Sequence, residues 1–188
     1  MSVTPAFRIF PLLLVTCLSA ARGDYASAKD KFDRIASDRL RAGTRITLST
    51  QELNAYIGQE IPAVTDGVRN PRLELLGPGV ARGTALVDFA KVQRSQGHPP
   101  GWLLSKLLEG ERPVSVTARI VSAGGRATVD VQQLQISGIG IDGGALDFLV
   151  RNFVLPLYPN AVVGRPFELG HRIERLEVQL GGVGVIIG

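Results

Sequence analysis

Two long alternating runs dominate the chain. Val114, Val116, Ala118 and Ile120 share one phase, with Ser115, Thr117 and Arg119 between them. Beyond Ala123-Gly124-Gly125, Ala127, Val129 and Val131 take the apolar phase, and Thr128, Asp130 and Gln132 the polar one. Side chains alternate across a strand, so this period of two predicts an antiparallel hairpin over residues 114–141 with one buried face. In the second arm the apolar phase moves from odd to even positions between Val131 and Leu134. Such a slip predicts a bulge, an extra residue that bends and twists the strand.

Upstream, the spacing changes to that of helices. Ala28, Phe32, Ile35, Ala36 and Leu40 recur every three or four positions, predicting an amphipathic helix over 27–42 that Gly43 stops. This helix reads as a cover for the core or as a spacer from a membrane. Ser49-Thr50-Gln51-Glu52 is a capping box opening a second helix through Leu53, Ile57 and Ile61, with Pro62 ending it. Glu52 therefore reads as a helix cap rather than a catalytic carboxylate. A weak strand over 72–76, the turn Gly77-Pro78-Gly79 and a strand over 80–92 follow. Both phases of that strand carry apolar residues, with Val87 and Phe89 in one of them, which predicts cover on both sides. Residues 93–101 read as a loop, and Trp102-Leu103-Leu104 with Leu107-Leu108 as a short apolar helical turn.

Downstream, Ala145, Leu146, Phe148, Leu149, Val150, Phe153 and Val154 surround the axis of a predicted helix over 145–154. A helix apolar nearly all round must be sequestered in the core or in lipid. Pro156, Pro159 and Pro166 mark an irregular linker, and a final strand is predicted over 172–187 with a phase slip between Ile173 and Leu176. Its glycine-rich end, Gly181 to Ile187, permits bending or close backbone approach. Long strands with bulges and glycines coil around something, and an apolar helix is the obvious candidate. The predicted class is α+β: a long, curved antiparallel sheet wrapped around an α-helix, with short additional helices.

The N-terminus changes this picture. Arg8, the apolar run from Ile9 to Leu18, and the small residues Ser19-Ala20-Ala21 read as a secretory signal peptide over 1–21. The run is too short for a spanning helix, which needs about 20 apolar residues. Cleavage fits after Ala21 or after Gly23. Leu14-Val15-Thr16-Cys17 is similar to a bacterial lipobox, with Thr16 where a smaller residue is usual, so Cys17 is the candidate lipidation site. Plain secretion to the periplasm and lipid anchoring to a membrane both fit. Residues 22–43 then form an N-terminal helix or spacer, and 44–188 a single domain. Cys17 is the only cysteine, which leaves neither a disulfide framework nor a thiolate metal site in the mature body. Cleavage after Gly23 takes Arg8 and Arg22 from the 21 basic residues, leaving a net charge of about +2 against 17 acidic ones. Those charges are interspersed, so the clustered footprint of a nucleic-acid binder is missing.

No grouping of residues spells out chemistry. His98 and His171 are isolated, without the local spacing of zinc ligands. Ser137 lacks the elbow of a hydrolase nucleophile, and the glycines of 138–144 lack the Lys-Ser/Thr pair of a phosphate loop. Neither a cofactor, a metal nor an enzymatic activity is expected. What remains is apolar volume, of the kind that lines ligand cavities. The candidate wall is Leu53, Ile57, Val87, Phe89, Trp102, Val116, Ile120, Val129, Val131, Phe148 and Phe153.

These features together resemble the tubular lipid-binding (TULIP-like) superfamily, in particular its small bacterial envelope members. The likeness rests on the helix start Leu48 to Asn54 and the long strands after it. It continues in Leu134-Gln135-Ile136-Ser137-Gly138-Ile139 before an apolar helix, in Pro166-Phe167-Glu168-Leu169, and in the closing run from Ile173 to Val178. Asp142 stands where small members often carry proline. The resemblance implies a curved sheet around a helix with an apolar lumen, and a non-enzymatic carrier or sensor of lipids in the cell envelope. The same residues also fit a solid-cored module whose glycine-rich last strand adds to a partner's sheet edge. A hydrolase assembled from distant residues is the third reading.

Overall fold

A computed structural model describes residues 12–95, 110–151 and 164–188, with the side chains of 12–21, 93 and 95 outside the description. Helix α1 (Leu12–Ala36) leads into β1 (Arg45–Ser49) and α2 (Thr50–Val64). The hairpin β2 (Val68–Gly77) and β3 (Val80–Asp88) precedes a short α3 (Phe89–Ser95). Then come β4 (Glu111–Ala123), β5 (Arg126–Ile136), β6 (Ile139–Ile141) and α4 (Gly143–Leu149). Strands β7 (Phe167–Glu168), β8 (Ile173–Gln179) and β9 (Gly182–Ile187) close the described chain. The class is α+β with antiparallel pairing throughout.

Six strands form the long sheet in the order β2-β3-β4-β5-β6, with β7 also on β5. Its centre is the predicted hairpin. Gly124 and Gly125 connect Ala123 to Arg126 with φ of +58° and +74°. A two-residue turn with both residues left-handed matches the twist of the flanking strands, and glycine adopts it without a Cβ clash. The predicted bulge is present: Thr117 faces Gln133 while Ala118 faces Val131, leaving Gln132 as the extra residue. The slip in β8 is real as well, between Ile173 and Arg175.

Several boundaries differ from the pattern. The first helix stops at Ala36 rather than running to 42, because Asp38 takes a left-handed φ of +55° and the Ser37 hydroxyl donates to the Arg34 carbonyl. Strand β1 was not anticipated; its Ile46 and Leu48 are buried on one face. Helix α2 continues past Pro62 to Val64, where Thr65 N–H donates to the Ile61 carbonyl at 2.9 Å. The strand expected over 80–92 ends at Asp88, so Phe89 opens a helix rather than lying in the sheet. Asp88 forces this, its carboxylate accepting from the Lys91 amide at 2.9 Å in the manner of a cap. The single final strand is two, because the chain reverses at Leu180-Gly181 between paired Gln179 and Gly182.

The second sheet runs β1-β9-β8. The glycine-rich strand β9 is thus central, paired on both sides, and its edges are unavailable to a partner. Strand β8 crosses the turn ends of the long sheet and is bonded to them at alternate residues. Gly125 N–H donates to the Glu174 carbonyl at 2.9 Å and Gly79 N–H to the Val178 carbonyl at 3.1 Å. Between them the Ser122 hydroxyl accepts from Leu176 N–H at 2.7 Å and donates to its carbonyl at 3.0 Å. Each such bond contributes about 1 kcal/mol net, and each would cost more if left unmade.

Under this seam lies the main core: Ala28 and Ile35 of α1, Ile46 and Leu48 of β1, Leu53 of α2, Leu75 of β2, and Val178, Val185 and Ile187 of the small sheet. Leu48 keeps only 2% of its surface exposed. Burying a side chain of that size stabilises by about 1.5–3 kcal/mol. Strand β9 approaches β1 so closely that a Cβ on Gly182 would run into the Leu48 carbonyl oxygen, whereas one on Gly181 meets open space. Gly182→Ala is expected to cost about 2 kcal/mol, from overpacking against a backbone that cannot yield. Gly181→Ala should lie within about 0.5 kcal/mol of wild type. Urea unfolding of the two variants checks the difference, and equal midpoints would contradict the close approach.

Candidate functional site

Residues directly opposite in antiparallel strands point to the same side, so the register fixes the faces of the long sheet. Ala81, Ala85 and Val87 of β3 lie opposite Ala118, Val114 and Arg112 of β4. Val114, Val116, Ala118 and Ile120 lie opposite Ile136, Leu134, Val131 and Val129 of β5. One face is therefore aliphatic along three strands, and Ile139 and Ile141 of β6 continue it opposite Ile136 and Leu134. The other face carries Glu74, Arg82, Thr117, Arg119 and Asp130. The bulge at Gln132 keeps Val131 and Leu134 on the same side despite their odd spacing.

This aliphatic face is covered at its two ends. At the turn end Leu73, Leu75, Ala81 and Ile120 join the main core. At the other end Phe89 and Val92 of α3 form a second cluster with Val68, Val87, Val114, Ile136 and Leu149. Between them Ala85, Val116, Ala118, Val129 and Val131 belong to neither cluster and are half-buried. This band of small and β-branched residues is the candidate site.

The predicted wall residues divide accordingly. Val116, Val129 and Val131 meet on the band. Ile120 borders it, packed against the main core, and Leu53 is a core residue of α2. Val87 and Phe89 belong to the second cluster. Ile57 is half-buried on α2, outside both clusters. Phe148 lies on α4 with 37% of its surface exposed. Trp102 and Phe153 fall outside the described residues, as does the side chain of Cys17, whose backbone is within α1. Ala85, Ala118 and Leu134 share the face but were not predicted as wall. The same alternation, with the bulge, already sets Ala118 and Leu134 in the apolar phase.

The helix at Ala145 differs from its expectation. Among the described residues α4 has no buried side chain, with Leu146 and Leu149 half-buried and Ala145 exposed. Its apolar side chains border the second cluster through Leu149 rather than filling a core.

Three shallow grooves of about 450, 350 and 430 Å³ open on the described surface, the second lined in part by Ala85 of the band and the other two along α2 and β2, where they share Asn54, Ala55 and Arg72. None is lined by a predicted wall residue. Asn54 closes the β2 edge there, its amide accepting from Leu73 N–H and donating to the Leu73 carbonyl, both at 2.8 Å. Ser137, left-handed at φ +52°, is an exposed turn residue between β5 and β6. His171 lies 3.4 Å from Asp38, both half-open to solvent. Among the described residues no three His, Cys, Asp or Glu side chains converge as metal ligands, and no helix is long and apolar enough to cross a membrane.

The strongest electrostatic feature is Glu52, buried where α1, β1 and α2 meet. Its backbone N–H donates to the Ser49 hydroxyl at 3.1 Å, and its carboxylate accepts from Ser49 N–H at 2.8 Å, completing the predicted capping box. The other carboxylate oxygen accepts from Ser27 at 2.5 Å and from Lys31 at 2.6 Å. Lys31 also donates to the Thr47 carbonyl at 2.8 Å. Burial pushes this carboxyl up, but the Lys31, Ser27 and Ser49 bonds outweigh it and hold it at about 2, below its ordinary 4.5. The group lies in the main core and away from the band, so the shift reports a structural joint. No protein-family model, curated protein or solved structure matches this chain.

A carboxylate with a depressed folded-state pKa contributes stability above its unfolded pKa, and that contribution is lost as pH falls through the folded value. For Glu52 the window runs from about 4.5 down to about 2, and its span corresponds to roughly 3 kcal/mol. Acid titration of unfolding stability should show this loss, and Glu52→Gln should be less stable at neutral pH and lack that part of the pH dependence. An unchanged acid limb in Glu52→Gln would remove the joint from the account.

Proposed function

We propose that this protein binds a lipid, or another ligand with a long apolar chain, on the aliphatic face of its six-stranded sheet, in a bacterial cell envelope. The observation that carries this reading is the band of Ala85, Val116, Ala118, Val129 and Val131, aliphatic throughout yet half-buried between two well-packed clusters. A face of this composition gains free energy from any apolar partner that excludes water from it. Each methylene so buried contributes about 0.8 kcal/mol, so ten of them supply about 8 kcal/mol before ordering costs. No polar reaction centre is needed for carriage, and the reading is non-enzymatic. The leader-like segment with Cys17 supports export, with or without lipid anchoring. The resemblance to tubular lipid-binding proteins is in accord with a long antiparallel sheet carried on helices.

The partner-binding alternative loses its main support, since the glycine-rich strand it needs at an edge is the middle strand of its sheet. Native mass spectrometry of protein extracted gently from its host tests the proposal, with co-purified lipid expected. Val116→Trp and Val129→Trp each place a large ring on the band and should lower uptake of an apolar fluorescent probe about tenfold, a loss of roughly 1.4 kcal/mol. Circular dichroism should remain that of wild type. Full probe uptake by both variants would remove the band as the wall.

A further inference from the structure

Among the described strand residues the aliphatic face carries one charged side chain. Arg112 lies opposite Val87 and two positions before Val114, hence on the same side as Val114 and Val116. It is half-buried. A guanidinium remains protonated at any physiological pH, and a charge beside hydrocarbon is costly unless an anion meets it. The neighbouring carboxylates among the described residues do not serve. Asp88 and Glu111 face each other across β3 and β4 on the polar side of the sheet. Glu111 is paired with Arg69 at 3.0 Å, and Asp88 with Lys91 at 3.8 Å. Among the described residues the Arg112 side chain makes neither a hydrogen bond nor an ion pair.

We propose that Arg112 anchors the head of the ligand, and that the ligand is a single-chain amphiphile ending in a carboxylate, a fatty acid in chemical class. This rests on the lipid-binding reading above and adds the head-group chemistry to it. The carboxylate sits on the guanidinium, and the chain passes the half-buried Val114, at the rim of the α3 cluster, to reach Val116 and Ala118 on β4. Six residues of strand span about 20 Å, room for one extended acyl chain. A guanidinium presents two parallel N–H donors to one carboxylate, satisfying both charges in one contact. A phosphomonoester carries about −1.5 to −2 charges and calls for a second cation. No second Lys or Arg stands on this face among the described strands, so the monoanion is the better match.

The test uses the purified full chain and an apolar fluorescent probe, displaced by a long-chain fatty acid or by the alcohol of equal chain length. At mildly alkaline pH, where the acid is ionised, wild type should prefer the acid by about tenfold or more, as expected of a charge-assisted bond. Arg112→Leu and Arg112→Gln should bring the ratio of the two affinities to near one, and Arg112→Lys should retain part of it. Arg119→Leu, on the polar face, should keep the wild-type ratio. Using two neutral variants guards against a folding defect in either, with circular dichroism as the check. A wild-type ratio near one, or a preference that survives in both neutral variants, overturns the anchor and leaves the lipid reading standing. If neither acid nor alcohol displaces the probe from wild type, both proposals fall.

Discussion

A sheet whose one face is aliphatic from Leu75 to Ile139 has to be covered, and everything else in the molecule answers to that constraint. The cover is uneven. At the turn end, β8 crosses the hairpin tips and is tied to Gly79, Ser122 and Gly125, so that β1, β9, α1 and α2 are brought over Leu75, Ala81 and Ile120. At the far end, Phe89 and Val92 of α3 sit against Val68, Val87 and Val114, with Leu149 of α4 beside them. The middle is left with half-buried alanines and valines.

The rigid end is built by side chains that take the place of strands. Ser122 offers Leu176 both an acceptor and a donor, and Asn54 does the same for Leu73. Each spares a backbone N–H and a carbonyl from burial without partners, at the cost of ordering one short side chain. An Asn in this role also blunts the β2 edge, where Pro71 has no N–H to give and Asn70 turns out of the strand at φ +49°. Glu52 completes the joint by holding α1, β1 and α2 through Ser27, Lys31 and Ser49. Breaking a carboxylate of this kind from its donors is expensive because it is buried. Stability is thereby concentrated away from the band.

Much of this was legible in the sequence, and the failures share a cause. The central hairpin, its two-glycine turn and its bulge at Gln132 could be read because each follows from local spacing and backbone preference. The capping box at Ser49 and Glu52 could be read for the same reason. Strand β1 escaped because Ile46 and Leu48 are only two alternations, too few to stand out before a strong helix start. The pattern of the final segment predicts one strand because Leu176, Val178 and Leu180 continue in phase, although Leu180 is 70% exposed at the tip of a reversal. Of the candidate wall, the valines that alternate could be placed on one face. Whether Leu53 and Phe89 pack in a core or border an open band depends on contacts between distant elements, which no local pattern encodes.

The uneven cover has a thermodynamic consequence for the proposed function. Filling the middle of the face with larger side chains would add stability at about 25 cal/mol per Å² of apolar surface removed from water. The sequence instead places Gly83, Ala85 and Ala118 there, among the smallest residues available. A ligand that lies on the band recovers the forgone burial, so on this reading occupancy and stability are linked, each raising the other by mass action. The charge of Arg112 fits the same logic. Left without a partner among the described residues, it would, on the proposed reading, disfavour a bare hydrocarbon ligand and favour one that carries an anion. If the proposal holds, an aliphatic wall without that charge would accept any greasy molecule, whereas with it the face would have a direction and a ligand one end to put first.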